Sequence, residues 1–223
     1  MDRTEILLGN KNMEILKNSK VAIFGVGGVG GYVAEMLARA GIEDITIIDF
    51  DKVDETNLNR QIIALKSTVG KYKVSVMKDR ILDINPNCKI TAINERYTSE
   101  NSEIFFKTKY DYVIDAIDSV KDKIDLIINC KKRDLPIISA MGAGNRIGIP
   151  NFVVTDISKT FNDGLAKVVR KNLKEHNILK LDVAFCQELP IAKGPTTGSI
   201  SYFPSMCGCV ISAFVINKLI KNI

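Results

Sequence analysis

The stretch from Val21 to Asp49 admits few folds. Val21-Ala-Ile-Phe24 is a continuous apolar run suited to a buried parallel strand, and Gly25-Val-Gly27-Gly28-Val-Gly30 follows it directly. Val33, Met36, Leu37 and Ala40 then recur at helical spacing, Gly41 stops that helix, and Ile45 to Ile48 form a second apolar run closed by Asp49. Strand, glycine turn, helix and strand in this order predict half of a doubly wound sheet. Gly25 would make the tight turn, Gly27 would let backbone approach a phosphate, and Gly30 would let the helix pack on the strand, with an anion at the helix N-terminus. Asp49, about 20 residues past the last glycine, suits a ribose hydroxyl pair. A glycine-rich structural turn is the plainer reading of the loop taken alone.

The alternation continues. Val74, Met77, Ile81 and Ile84 give one apolar face to a helix over 71–85, which Pro86 ends. Lys89 to Ile93 reads as a third strand, Asn101 to Lys107 as a short helix, and Tyr110 to Ile114 as a fourth strand with Asp115 and Asp118 at its carboxyl end. A helix up to Arg133 and a fifth strand, Pro136 to Ser139, follow. Beyond Gly142-Ala-Gly144 the pattern loosens. Phe152 to Thr155 and Leu181 to Phe185 look like antiparallel additions flanking a helix from Gly164 to His176, in which Leu165, Val168, Val169 and Leu173 oppose Lys167, Arg170, Lys171 and Lys174. The expected fold is α/β, a Rossmann-like doubly wound, mostly parallel sheet with antiparallel additions in the C-terminal third. The basic side of the last helix is either an RNA contact or an ordinary solvated face.

At 223 residues the chain suits one domain, 1–223, rather than two nucleotide-binding domains. The first residues lack the basic and apolar regions of a secretory signal, so a cytoplasmic location is expected. Val210 to Ile220 is too short and too interrupted to span a bilayer and reads as a buried helix, so no membrane partner is expected. Five scattered cysteines do not make a disulfide framework, and the net charge of +5 is compatible with a polyanionic partner.

The polar residues after the second strand narrow the chemistry. Asn57, Arg60 and Lys73 supply an amide and two cations on the side of the sheet that carries the glycine loop, a set able to hold a triphosphate and neutralise charge developing on its α-phosphate. Asp118 offers the oxygen ligand that Mg2+ prefers. Together they describe nucleotidyl transfer from ATP to a carboxylate.

Gly25-x-Gly27-Gly28-x-Gly30, Ile48-Asp49-Phe-Asp51, Asn57-x-Asn59-Arg60-Gln61, Gly70-Lys-x-Lys73, Ile84-Asn85-Pro86 and Asp115-x-x-Asp118 resemble the motifs of the ThiF/MoeB/HesA superfamily, relatives of ubiquitin-activating enzymes. Arg60-Gln-Ile-Ile-Ala-Leu, Asp115-Ala-Ile-Asp118-Ser, Gly142-Ala-Gly144 and Asp163-Gly-Leu-Ala166 extend the likeness to the branch of tRNA threonylcarbamoyladenosine dehydratases. The resemblance implies that Gly28 and Asp49 contact the nucleotide, with Asp51 and Gln61 in the same binding set. It implies further that Asn57, Arg60 and Lys73 contact the phosphates and that Asp118 holds Mg2+. Arg3 stands where superfamily dimers carry an arginine that reaches the partner's ATP; it is either that residue, in a homodimer, or a terminal charge.

The resemblance also has departures. Sulfur-carrier-activating members usually carry two Cys-x-x-Cys pairs; this chain has neither, so no structural zinc is expected, and Cys207-x-Cys209 suits core packing better. Cys186 is either a nucleophile or a buried small side chain. The implied reaction is ATP-dependent cyclisation of threonylcarbamoyladenosine in tRNA. The rival is adenylation of the C-terminal glycine of a ubiquitin-like sulfur carrier, with a sulfur-transfer or carrier protein as partner. A nicotinamide-dependent oxidoreductase would leave Asn57, Arg60, Lys73 and Asp118 without a use, and a non-catalytic binding module would leave the whole set idle.

Overall fold

The computed structural model describes residues 2–191 and 197–221. Seven strands form one sheet: β1 (Lys20–Phe24), β2 (Asp44–Ile48), β3 (Lys89–Ile93), β4 (Tyr112–Asp115), β5 (Ile137–Ala140), β6 (Phe152–Asp156) and β7 (Asp182–Cys186), in the spatial order β3-β2-β1-β4-β5-β7-β6. The pairs from β3 through to β7 are parallel. The antiparallel addition is β6, paired with β7 from Phe152↔Cys186 to Asp156↔Asp182. β7 itself continues the parallel run beside β5.

The short apolar strands are buried on both faces, and their alternation assigns each residue to one of two cores. Val21 and Ile23 of β1 enter the core on one side of the sheet, where they meet Leu37, Met77 and Phe203. Ala22 and Phe24 enter the other, with Tyr97, Phe105, Leu126, Val169 and Phe185. The helices that cover the first side are α2 (Asn10–Asn18), α3 (Gly30–Ala40), α4 (Lys73–Ile84) and α7 (Tyr202–Leu219), while α5 (Val120–Lys132) and α6 (Gly164–Glu175) cover the second. α3 ends as expected, on Gly41 with φ 100°, and the short helix expected at 101–107 is a 3-10 turn over Ser102–Phe106.

Besides the parallel placement of β7, which was expected to be antiparallel, two features depart from the sequence-based expectation. The first is a pair of N-terminal helices, α1 (Asp2–Leu8) and α2, of which α1 leaves Ile6 and Leu7 more than four-fifths exposed. The second is the length of α7. It begins at Tyr202 rather than near Val210, and its 18 residues, mean hydropathy 1.3, are long and apolar enough to cross a bilayer. In the fold its Phe203, Cys207, Ile211 and Val215, spaced four residues apart, are fully buried and pack on α3 and the sheet. Pro204 sits in the first turn, where its missing N–H costs no helical hydrogen bond.

The strand order fixes where a ligand can enter. From β1 the chain crosses to β2 and β3 on one side and later to β4 and β5 on the other, so the crevice lies above the carboxyl ends of β1, β2 and β4.

Candidate functional site

A cavity of about 440 Å3 occupies that crevice, within the range usual for small-molecule sites. The glycine loop forms one wall. Gly25 has φ +90°, and a Cβ there would lie 2.6 Å from the Ala116 carbonyl oxygen, so the loop turns where another residue would be strained and obstructed. Gly30 lies behind the wall, with its Cβ position only 1.8 Å from Gly25 O, which lets α3 start against the turn. The N-cap residue, Val29, offers no side-chain cap; the Gly31 N–H donates back to Gly27 O at 3.0 Å, and the dipole of this helix N-terminus suits an anion.

Asp49, at the end of β2, accepts the Val26 N–H at 2.6 Å on Oδ2 and the Asp51 N–H at 2.8 Å on Oδ1, and so ties the glycine loop to the turn after β2. Burial pushes its carboxyl pKa up, against the opposing charge of Lys73 and those two N–H groups. Lys73, the first residue of α4, is 6% exposed, and its Nζ donates to Asp51 Oδ2 at 2.8 Å. A cation is therefore held against the cavity wall by a carboxylate that is itself half exposed.

Arg60 and Gln61 come from the loop between β2 and α4. Arg60 Nη1 donates to Thr56 O at 2.8 Å and Asn59 Oδ1 at 2.9 Å, which steadies the guanidinium at the wall. Gln61 is buried and its Oε1 receives no hydrogen bond, an unmet acceptor at the cavity. Asp118, after β4, is exposed at the rim, and its carboxylate accepts no hydrogen bond among the described residues. No group of three or more His, Cys, Asp or Glu side chains that could hold a metal ion occurs among the described residues.

The fold thus brings together Gly25, Gly27, Gly28, Asp49, Asp51, Arg60, Gln61, Lys73 and Asp118 around one cavity. Three of the residues expected at the site lie elsewhere. Gly30 is behind the loop. Asn57 is outside the wall: its Oδ1 accepts the Asp54 N–H at 3.1 Å in a capping box, so it shapes the turn that carries Arg60. Arg3 is on the exposed side of α1 and is not part of the wall of its own cavity. Cys186 is fully buried at the end of β7 and does not line the cavity either. Cys207 is also fully buried, and burial pushes its thiol pKa well up.

The opposite wall escaped the sequence motifs. Arg96, beyond β3, donates from Nε and Nη2 to Asp122 Oδ2 at 3.0 and 2.7 Å and lies over the Phe50 ring, 5.6 Å from its centroid. Tyr97 beside it packs edge-on against Phe24, with ring centroids 5.3 Å apart. The order β3-β2-β1 was the signal that could have found them, because the end of a neighbouring parallel strand opens into the same crevice.

Under the floor, Asp115 and Lys123 form an ion pair of 2.7 Å that no solvent reaches. Ser139 Oγ donates to the same carboxylate oxygen at 2.7 Å, the Ile117 N–H donates to the other at 3.0 Å, and Lys123 also donates to Ala140 O at 3.1 Å. This network fixes the loop that presents Asp118. Arg146, 3% exposed, is buried as well; it donates to the carbonyls of Glu188, Gly142, Gly144 and Asn162 and so joins three loops beside the cavity.

Known proteins share this fold. The family model described as ThiF matches residues 1–222. A protein of Bacillus subtilis named tRNA threonylcarbamoyladenosine dehydratase is 44% identical, over 99% of this chain and 94% of its own length. The crystal structure of the Escherichia coli tRNA N6-threonylcarbamoyladenosine dehydratase, TcdA, in complex with ATP superposes with a TM-score of 0.94 at 36% identity, covering 99% of this chain and 93% of that one. The same Escherichia coli protein in complex with AMP gives a TM-score of 0.94 at 35% identity, over 100% of this chain and 94% of that one.

Proposed function

The chain belongs to the ThiF family, and from that premise we propose that it is an ATP-dependent tRNA threonylcarbamoyladenosine dehydratase, which adenylates the carboxylate of the modified adenosine and cyclises it. The observation that carries this reading is the convergence of Lys73, Arg60 and an uncapped helix N-terminus on one cavity beside the buried Asp49 carboxylate. Two cations and a set of N–H groups suit a triphosphate, and Asp49 suits the ribose.

In this reading the threonine carboxylate attacks the α-phosphate and pyrophosphate leaves. The ureido group of the same side chain then closes the ring, loses a proton and expels AMP. Arg60 and Lys73 stabilise the charge that builds on the α-phosphate, where an oriented donor is typically worth about 10²–10³-fold in rate. The ring closure is intramolecular, so orientation by the cavity supplies much of its acceleration and no enzyme thiol is required. Gln61 Oε1, buried without a donor, is assigned to accept a hydrogen bond from the bound nucleotide or substrate.

Mg2+ fits the donor set through one carboxylate and the phosphate oxygens themselves, as is usual for this ion. Asp118 would hold it, and it supplies charge neutralisation on the phosphates when bound. The active unit is proposed to be a cytoplasmic homodimer in which Arg3 serves the partner's cavity. The exposed Ile6 and Leu7 on α1 support that assignment, since burying them requires another surface.

The test is pyrophosphate release by the purified protein with ATP and Mg2+, run in parallel with tRNA bearing threonylcarbamoyladenosine and with a small carrier protein ending in Gly-Gly. Cyclic product and AMP with the tRNA alone are expected. Turnover with the carrier protein and none with the tRNA would defeat the proposal.

A further inference from the structure

A second recess, away from the nucleotide cavity and of about 710 Å3, lies between α6, the 3-10 turn Ile157–Lys159 and the residues leading into β7. Four cations from these three segments line it: Lys159, Arg170, Lys174 and Lys180. Its one acidic residue is Asp156, whose Oδ1 already accepts the Ser158 N–H at 2.9 Å and whose Oδ2 accepts the Leu181 N–H at 3.2 Å. Arg170 is held in place by donating to Ile157 O, Thr160 O and Thr160 Oγ1 at 3.1, 3.1 and 2.6 Å. The recess is thus a cationic surface with one of its charges already oriented.

α6 connects this recess to the reaction cavity. At its N-terminus Asp163 accepts the Gly142 N–H at 2.9 Å on Oδ2 and the Ala166 N–H at 2.9 Å on Oδ1, which fastens the helix to the loop whose Ala143 and Gly144 line the nucleotide cavity. From there Lys167, Arg170, Lys171 and Lys174 follow at spacings of three, one and three residues, a single stripe beside the buried face of Ala166, Val169 and Leu173. At about 1.5 Å per residue α6 is about 18 Å long, and the stripe from Lys167 to Lys174 covers about 10 Å of it, ending at the recess.

We propose that the stripe on α6 and the recess at its end bind the phosphate backbone of the tRNA stem that adjoins the nucleotide in the cavity. This rests on the functional reading above, and charge complementarity selects the occupant. Among the described residues the stripe and recess present cations without a matching set of carboxylates, and no aromatic or amide side chain lines the recess to read a base, so the surface suits phosphates and is indifferent to sequence. The reacting base enters the cavity while its own backbone runs along the helix.

The experiment uses the full-length protein and two variants of exposed residues: Lys159→Ala with Lys174→Ala and Lys180→Ala, and Lys167→Glu with Lys171→Glu. Binding of tRNA with and without the threonylcarbamoyl group, ATP binding, and the thermal unfolding midpoint are measured across a salt series. Both variants are expected to bind both tRNAs at least about 10-fold more weakly, and the triple variant to lose about 2–3 from the slope of log affinity against log salt, with ATP binding and the midpoint unchanged. Wild-type affinity and slope in both variants would overturn the proposal, as would a loss confined to the modified tRNA. Displacement of tRNA by poly-glutamate as readily as by RNA of equal charge would assign the surface to an acidic protein and overturn it as well. Failure of the wild-type protein to form cyclic product would count against the functional reading, not against the docking surface.

Discussion

Replacing Lys123 with Met removes the cation from a pair whose side chains are both 0% exposed. Asp115 would keep the hydrogen bonds from Ser139 Oγ and the Ile117 N–H but lose its only cation, and Ala140 O would lose the ammonium donor. Breaking one half of a buried ion pair typically costs about 3–5 kcal/mol, because the remaining charge has neither water nor a counter-ion. In a chain of this length each kcal/mol lowers the unfolding midpoint by about 2–4 °C, so a fall of about 6–20 °C is expected. Urea unfolding followed by circular dichroism measures the free energy, and scanning calorimetry the midpoint. The double variant Asp115→Asn with Lys123→Met removes both charges and should recover part of the loss, since the two residues are coupled. ATP affinity should fall in the single variant, because the pair supports the loop from Ala116 to Ser119 on the cavity wall. A loss below about 1 kcal/mol in Lys123→Met, or a double variant that loses the sum of the two singles, would refute the reasoning.

Four further outcomes are expected. Gly30→Ala puts a methyl group where the Gly25 carbonyl oxygen already lies, 1.8 Å from the new Cβ, so it should cost about 1–3 kcal/mol of stability and at least about 10-fold in ATP affinity; isothermal titration at wild-type affinity would contradict this. Arg60→Ala should slow adenylation by about 10²–10³-fold with the circular dichroism spectrum unchanged, and retained turnover would remove Arg60 from the phosphate site. Glu35 is buried, which alone would raise its carboxyl pKa, but Arg80 and Arg39 hold it below the usual range, so its contribution is complete above the unfolded pKa of about 4.3 and is lost as pH falls through the lower folded value. Glu35→Gln should therefore be less stable than wild type at pH 7 and converge with it only once pH falls below the lowered folded pKa of Glu35. Iodoacetamide applied to the native protein should leave Cys186, which is 0% exposed, unlabelled with activity retained; rapid labelling with loss of turnover would make it a candidate nucleophile.

The glycine turn, β1, β2 and α3 were legible because a buried parallel strand, a positive-φ glycine and a helical apolar period each leave a local mark. The N-terminal helices were not, since α1 is seven residues long with its apolar Ile6 and Leu7 turned to solvent, so no buried face writes a period into it. Arg60 and Lys73 line the cavity, but residue type does not separate an amide that faces a cavity from one that closes its own turn, as the Asn57 Oδ1 does by accepting the Asp54 N–H. The wall formed by Arg96 and Phe50 depends on strand order, which hydrophobic periodicity does not encode, and the parallel placement of β7 was hidden for the same reason.

Pro204 lines the nucleotide cavity from the first turn of α7, and α7 packs on α3, the helix that starts at the glycine loop. The loop closes at Gly30, while the helix that backs it begins some 170 residues later. At the usual pace of about 5–20 residues per second, the nascent chain holds β1, α3 and β2 for about ten to thirty seconds with the apolar flank of α3 uncovered. An ATP site is therefore not finished until α7 has been translated, and a ribosome stalled before residue 202 would carry a sheet that cannot yet close on nucleotide.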